Sequence, residues 1–203
     1  MASDFIQTLN TRLRRVPAYP IYVAGLVWVV WLFYLGMTGG LGPEPINALE
    51  RRLGLTALQL VIAGLTITPL RRLVGLNLMK YRRALGVTAF FVVLVHLLVW
   101  LLLDIQQLDR IWADILKRPY ITIGMVGFVG MLPLAITSNN LAVRKLGPVW
   151  RRLHKLTYAV AILGGLHFVM LSKGFQIEPL AYLTIISVLL TFRLRRFPVL
   201  GRA

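Results

Sequence analysis

The chain has no cysteine in 203 residues. That excludes disulfides, thiolate metal sites, thiolate-ligated iron–sulfur clusters and the covalent attachment of a c-type heme. Acidic residues are scarce: seven Asp and Glu stand against 23 Lys and Arg, a formal net charge of +16. None of the seven lies deep in an apolar run, where an ion- or proton-coupled transporter would place one. Long polar stretches are missing too. The longest interval between apolar runs is under about 20 residues, whereas a separate soluble domain usually needs more than ~50, so any large catalytic domain is expected on another polypeptide. The basic residues come as small clusters with no continuous basic face, which argues against a nucleic-acid partner.

What is present is apolar. Hydrophobic residues make up 58% of the chain and mean hydropathy is +0.74, which makes the bilayer the solvent. A helix needs ~20 apolar residues to cross ~30 Å of hydrocarbon, and six runs approach that length: 21–37, 53–70, 84–103, 120–137, 149–171 and 177–194. The expectation is an all-α integral membrane protein, a six-helix transmembrane bundle forming one domain over 1–203. The sixth run is the weakest, beginning beside Glu178 and Pro179. No small-residue cleavage site follows the first run, which reads as a retained helix and not as a signal peptide.

Basic residues are retained on the cytoplasmic side of short loops. Arg12, Arg14 and Arg15, the cluster from Arg71 to Arg83, the cluster from Arg144 to Lys155 and the C-terminal arginines place 17 of the 23 on one side. Both termini are therefore predicted to be cytoplasmic. Glu44, Glu50, Asp104, Asp109, Asp114 and Glu178 fall on the opposite side with Arg51, Arg52, Arg110, Lys117, Arg118 and Lys173. Tyr19, Tyr22, Trp100, Tyr120 and Trp150 stand near span ends, where amphipathic rings anchor at headgroups.

Three histidines remain as candidates for chemistry: His96 in the third run, and His154 and His167 in the fifth. Neutral imidazole is a heme ligand that tolerates an apolar surround, and bundles place such ligands on facing helices. A lone membrane histidine is more often a hydrogen-bonded packing residue, so depth is the test. His96 lies 13 residues beyond Arg83 and His167 12 beyond Lys155, ~20 and ~18 Å along their helices from the same side. They share a level, which predicts a bis-histidine heme iron between the third and fifth helices. His154 lies near the cytoplasmic surface with no second histidine at its level. Two readings stay open for it: a second heme ligand, or an interfacial histidine bonding a headgroup, a propionate or the backbone.

A single outer heme leaves most of the membrane to cross, so a relay needs an inner cofactor, either a second heme at His154 or a flavin on the inner basic loops. Arg83, Arg151 and Arg152 are candidates for its anionic groups, although positive-inside topology alone accounts for much of that charge. Gly124, Gly127, Gly130, Gly164 and Gly165 allow close approach of either a macrocycle or a neighbouring helix. Trp28 and Trp31 read as lipid or packing contacts.

The stretches GGLGPEP (39–45), ITPLRR (67–72), YRRALG (81–86), KRPYITIG (117–124), LAITSNN (134–140) and KLGPVWRRLHKLTYAVAILGGLHF (145–168) resemble the MsrQ family. That family is the heme-binding membrane subunit of the bacterial periplasmic protein-methionine-sulfoxide reductase system, within the ferric-reductase-like transmembrane superfamily. The resemblance implies an inner-membrane subunit with b-type heme, one or two, and flavin mononucleotide. Its donor would be the quinone pool or a cytosolic flavin reductase, and its acceptor a periplasmic molybdopterin partner, MsrP, which performs the substrate chemistry. The family histidines map onto His96, His154 and His167. Arg83 stands where related oxidases carry an inner histidine, and these 203 residues do not include the flavin and nicotinamide domain that those relatives append, so neither a conventional inner heme nor direct use of NAD(P)H is expected. The alternatives are an autonomous ferric or quinone reductase, and a transporter or structural membrane protein without a redox cofactor.

Overall fold

In the computed structural model, which describes residues 2–107, 115–172 and 176–194, no strand occurs among the described residues. The helices are α1 (Ala2–Arg15), α2 (Tyr19–Met37), α3 (Pro45–Leu73), α4 (Arg82–Val99), α5 (Pro119–Ile136), α6 (Asn140–Leu146), α7 (Pro148–Leu153), α8 (Leu156–Leu171) and α9 (Ile177–Leu194). A 3-10 turn, Met79–Tyr81, leads into α4, and a π turn, Trp100–Ile105, extends it. Asp109, Arg110, Asp114, Lys173 and the arginines at 195, 196 and 202 lie outside the described residues.

Among the described residues four helices carry proline in their first two positions: α3, α5 and α7 at the first and α2 at the second. Proline's fixed φ suits the first turn, and its missing N–H would have no partner there. Asn139 caps α6, its side chain accepting from the Ala142 amide at 2.8 Å.

Among the described residues, five stretches are long and apolar enough to cross a membrane: Tyr19–Met37, Pro45–Leu73, Met79–Ile105, Pro119–Ile136 and Pro148–Leu171. They coincide with the first five expected runs, with two differences. α3 begins eight residues earlier than position 53 and spans 29 residues, ~43 Å at 1.5 Å per residue, so Glu50 is helical and not part of a loop. The fifth run is broken at His154 and Lys155, which form a turn between α7 and α8. α9 forms where the sixth run was expected and packs on α3 and α8.

α3 is the central helix, touching α2, α4, α8 and α9, while α4 also packs on α5 and α5 on α8. Leu32, Leu53 and Val92 join α2, α3 and α4 in one buried cluster; Leu65, Phe168 and Ile186 join α3, α8 and α9 in another. The outer faces are apolar: Val23, Leu26, Val27 and Val30 of α2 are all more than half exposed, as a lipid-facing helix requires. Since lipid is as apolar as leucine, cohesion comes from close packing and internal hydrogen bonds.

Candidate metal centre

α4 and α8 bring His96 and His167 together, with ring centroids 6.4 Å apart and planes at 83°. Metal–imidazole bonds of ~2 Å, plus the ~1.2 Å from each nitrogen to its ring centre, put two imidazoles sharing one ion ~6.3 Å apart between centroids. Among the described residues no cluster of three or more His, Cys, Asp or Glu could hold a bare ion. Two ligands suffice only for a metal that brings its own equatorial donors, as iron in a porphyrin does.

Both rings are held in the same way. His96 Nδ1 lies 3.0 Å from the Glu50 carbonyl oxygen, and His167 Nδ1 lies 2.7 Å from that of Tyr120. A carbonyl can only accept, so each Nδ1 carries the proton and each Nε2 keeps its lone pair. Such a bond also raises the basicity of the ligating nitrogen. In each case a glycine lies one helical turn beyond the carbonyl, where a side chain would meet the ring. A Cβ on Gly124 would stand 2.8 Å from His167 Nδ1, and one on Gly54 3.4 Å from His96 Cε1. The pairs Glu50/Gly54 and Tyr120/Gly124 sit in the early turns of α3 and α5, so four helices build the site. Sequence reasoning did not find Glu50, Gly54 or Tyr120 as part of it. The available signal was the shared spacing of four between a residue near a helix start and a glycine.

His154 lies apart from this pair and bonds through its other nitrogen. Its Nε2 is 3.1 Å from Thr137 Oγ1, which itself lies 2.6 Å from the Pro133 carbonyl. The single hydroxyl proton goes to the carbonyl, so His154 Nε2 donates to Thr137 and Nδ1 keeps the lone pair. Trp150 stacks on the ring at 3.9 Å and donates from Nε1 to the Thr137 carbonyl at 2.9 Å. Trp150 is therefore part of this cluster, beyond the headgroup anchor its position suggested.

His154 borders a cavity of ≈ 820 Å³ with Lys80, Arg82, Arg83, Arg151 and Lys155 on its wall and, among the described residues, no acidic one. Its apolar side includes Leu60, Phe90, Met131 and Val160. Arg83 Nη1 donates to Asn140 Oδ1 at 2.7 Å, so it both lines the cavity and ties α4 to α6. Arg152 is exposed on α7 and is not among the lining residues; Arg82, not singled out in the sequence, is. Phe90 stacks on Phe128 with centroids 5.8 Å apart, and Phe90 lies six residues from His96, ~9 Å along α4. Of the glycines, Gly127 and Gly130 face Leu163 and Val160 of α8, and Gly165 faces Leu183 and Ile186 of α9. Those three serve helix packing.

Residues 50–165, which include His96 and His154 and end two residues before His167, match the family described as ferric reductase like transmembrane component. A protein of Agrobacterium fabrum, named protein-methionine-sulfoxide reductase heme-binding subunit MsrQ, is 47% identical over 192 residues, covering 94% of this chain and 89% of the relative. A protein of Brucella ovis with the same name is 46% identical over 194 residues, covering 92% and 88%. The chain belongs to the MsrQ family. No solved structure matches it. Membership sets the two-imidazole centre and the basic cavity within a redox family whose named relatives bind heme.

Proposed function

We propose that the chain carries electrons across the bacterial inner membrane through a b-type heme ligated by His96 and His167, delivering them to a periplasmic molybdopterin methionine-sulfoxide reductase, MsrP, for repair of oxidised proteins. The observation that carries this reading is the pair of imidazoles 6.4 Å apart, each with Nδ1 at a backbone carbonyl and Nε2 left to coordinate. Heme would supply reversible one-electron chemistry at iron. The chain's own part is to fix both tautomers, hold the ring planes nearly perpendicular and keep the pair among apolar helices where solvent is excluded.

The inner cavity is the place for a relay cofactor. Five basic side chains without an acidic one suit an anionic group, flavin mononucleotide or the propionates of a second heme at His154. The donor is then the quinone pool or a cytosolic flavin reductase. In this reading α9 is a sixth span, which sets both termini in the cytoplasm, the basic cavity on the inner side and the histidine pair on the outer side. Substrate chemistry belongs to the partner, because the short outer loops hold no histidine or cysteine.

A reduced-minus-oxidised absorbance spectrum of purified, folded protein, with heme counted per chain, tests the proposal. A low-spin b-type spectrum is expected. Folded protein that takes up no heme overturns it.

A further inference from the structure

We propose that α1 is a surface helix seated in the anionic headgroup layer of the membrane, with Phe5 and Val16 at the acyl boundary and Arg12 and Arg15 on lipid phosphates. The pattern of α1 has two halves. Ile6, Leu9, Asn10 and Leu13 are partly buried, whereas Phe5 is 70% and Val16, just past the helix, 49% exposed. At 100° per residue Phe5 falls beside Leu9 on the rim of the apolar arc, and Arg12 and Arg15 lie beyond it. The helix therefore has more apolar surface than the protein covers.

Its place is fixed by two restraints. Only residues 16–18 join it to α2, a reach of ~10 Å at most, and Tyr19 and Val23 at the start of α2 are exposed as Val16 is. On its other side α1 is tied to the segment between α3 and α4. Asn10 donates to the Gly75 carbonyl at 3.0 Å and accepts from the Asn77 amide at 2.8 Å. Lys80 Nζ donates to the Arg14 carbonyl at 2.8 Å, and Tyr81 donates from its hydroxyl to the carbonyls of Leu13 and Val16, each at 3.0 Å. A helix held within one short linker of a spanning helix, and bonded to a loop between two others, lies at the membrane surface. Leu73 and Val74, 61% and 50% exposed, and the exposed Arg71 extend the same mixture of apolar and basic surface. Such a helix buries its apolar edge ~5–10 Å into the headgroup boundary and gains from anionic lipid. Because Met79 and Lys80 also line the basic cavity, α1 holds a turn that forms part of that wall.

The absence of cysteine permits a clean test on the full chain. Nitroxide labels are placed singly through Phe5→Cys, with Gln7→Cys on the polar face and Leu26→Cys on the lipid-facing side of α2 as references. Collisions with oxygen and with a water-soluble nickel chelate are then measured in nanodiscs of phosphatidylcholine, alone or mixed with phosphatidylglycerol. The label at position 5 is expected to favour oxygen, as at 26, while position 7 favours nickel. Anionic lipid should lower nickel access at 5 several-fold, and Arg12→Gln with Arg15→Gln should remove that lipid dependence. Nickel access at 5 equal to that at 7 would overturn the proposal, as would indifference to headgroup charge. Low access to both reagents would also overturn it, because the face would then be covered by protein. None of these readouts depends on heme.

Discussion

At the scale of single residues, the two facing histidines and the glycines behind them make separable demands. His96→Ala and His167→Ala are each expected to abolish the outer low-spin heme signal, since each would remove one of the two proposed ligands; His154→Ala should be milder. Equal loss of all heme in the three variants would argue against pairing of the first two. Gly124→Ala should lower heme occupancy strongly, because the added methyl falls 2.8 Å from His167 Nδ1, at the bond to the Tyr120 carbonyl. Gly54→Ala, at 3.4 Å from His96 Cε1, should cost less. Soret absorbance per chain, compared among purified variants of matched expression, ranks them. A Gly124→Ala protein with full heme and an unshifted spectrum would show that the ring is held by something other than that clearance.

At the scale of helices, α3 carries a proline at position 69, and the loss of its N–H leaves the Leu65 carbonyl without an intrahelical partner. Arg193 of α9 supplies one. Its Nε and Nη2 lie 3.2 and 2.9 Å from the Leu65 oxygen, and Nη2 is 3.1 Å from the Gly64 oxygen. The guanidinium also sits over the Tyr158 ring at 5.6 Å, so one side chain fastens α9 to α3 and α8. Arg193→Met is expected to destabilise the bundle by about 1–3 kcal/mol, the cost of leaving buried acceptors unmet. In a Pro69→Ala background the helix can bond its own carbonyl, and the same substitution should then cost less. Thermal unfolding of the four proteins in one detergent measures the coupling, and an unchanged cost in both backgrounds would refute it.

For the whole molecule, 17 of 23 basic residues on one side predict that both termini face the cytoplasm. A C-terminal alkaline phosphatase fusion should accordingly be inactive and a cytoplasmic reporter active; the reverse would remove α9 as a crossing helix. Reduced heme should be reoxidised rapidly by a separate periplasmic redox protein and only slowly by free methionine sulfoxide. Docking that relies on the mixed charges of the outer loops should slow at high salt, since surface charges are screened over ~8 Å at physiological ionic strength. Stopped-flow reoxidation with and without the partner measures both, and rapid turnover of the free sulfoxide would make the chain an enzyme in its own right.

Apart from the early start of α3 and the break in the fifth run, the first five runs emerged from the sequence within a few residues of the structure's crossing segments, because a membrane imposes one length and one polarity on every crossing segment. The common level of His96 and His167 was also legible, since rise per residue converts spacing into depth without knowledge of packing. Depth says nothing about rotation. Which carbonyls meet the two rings, and therefore which nitrogen stays free, depends on α3 and α5 arriving at the right angle with glycine at positions 54 and 124. The early start of α3 and the break at His154 were likewise settled by contacts, because hydropathy marks where a helix leaves hydrocarbon and not where it ends. The cavity beside His154 draws its wall from α2 to α8, so only the assembled bundle could show that Arg82 belongs to it and Arg152 does not. The sequence by itself determined the solvent, most of the helices and the few side chains available for chemistry. Tertiary structure decided orientation, since no local rule sets how one helix turns against another.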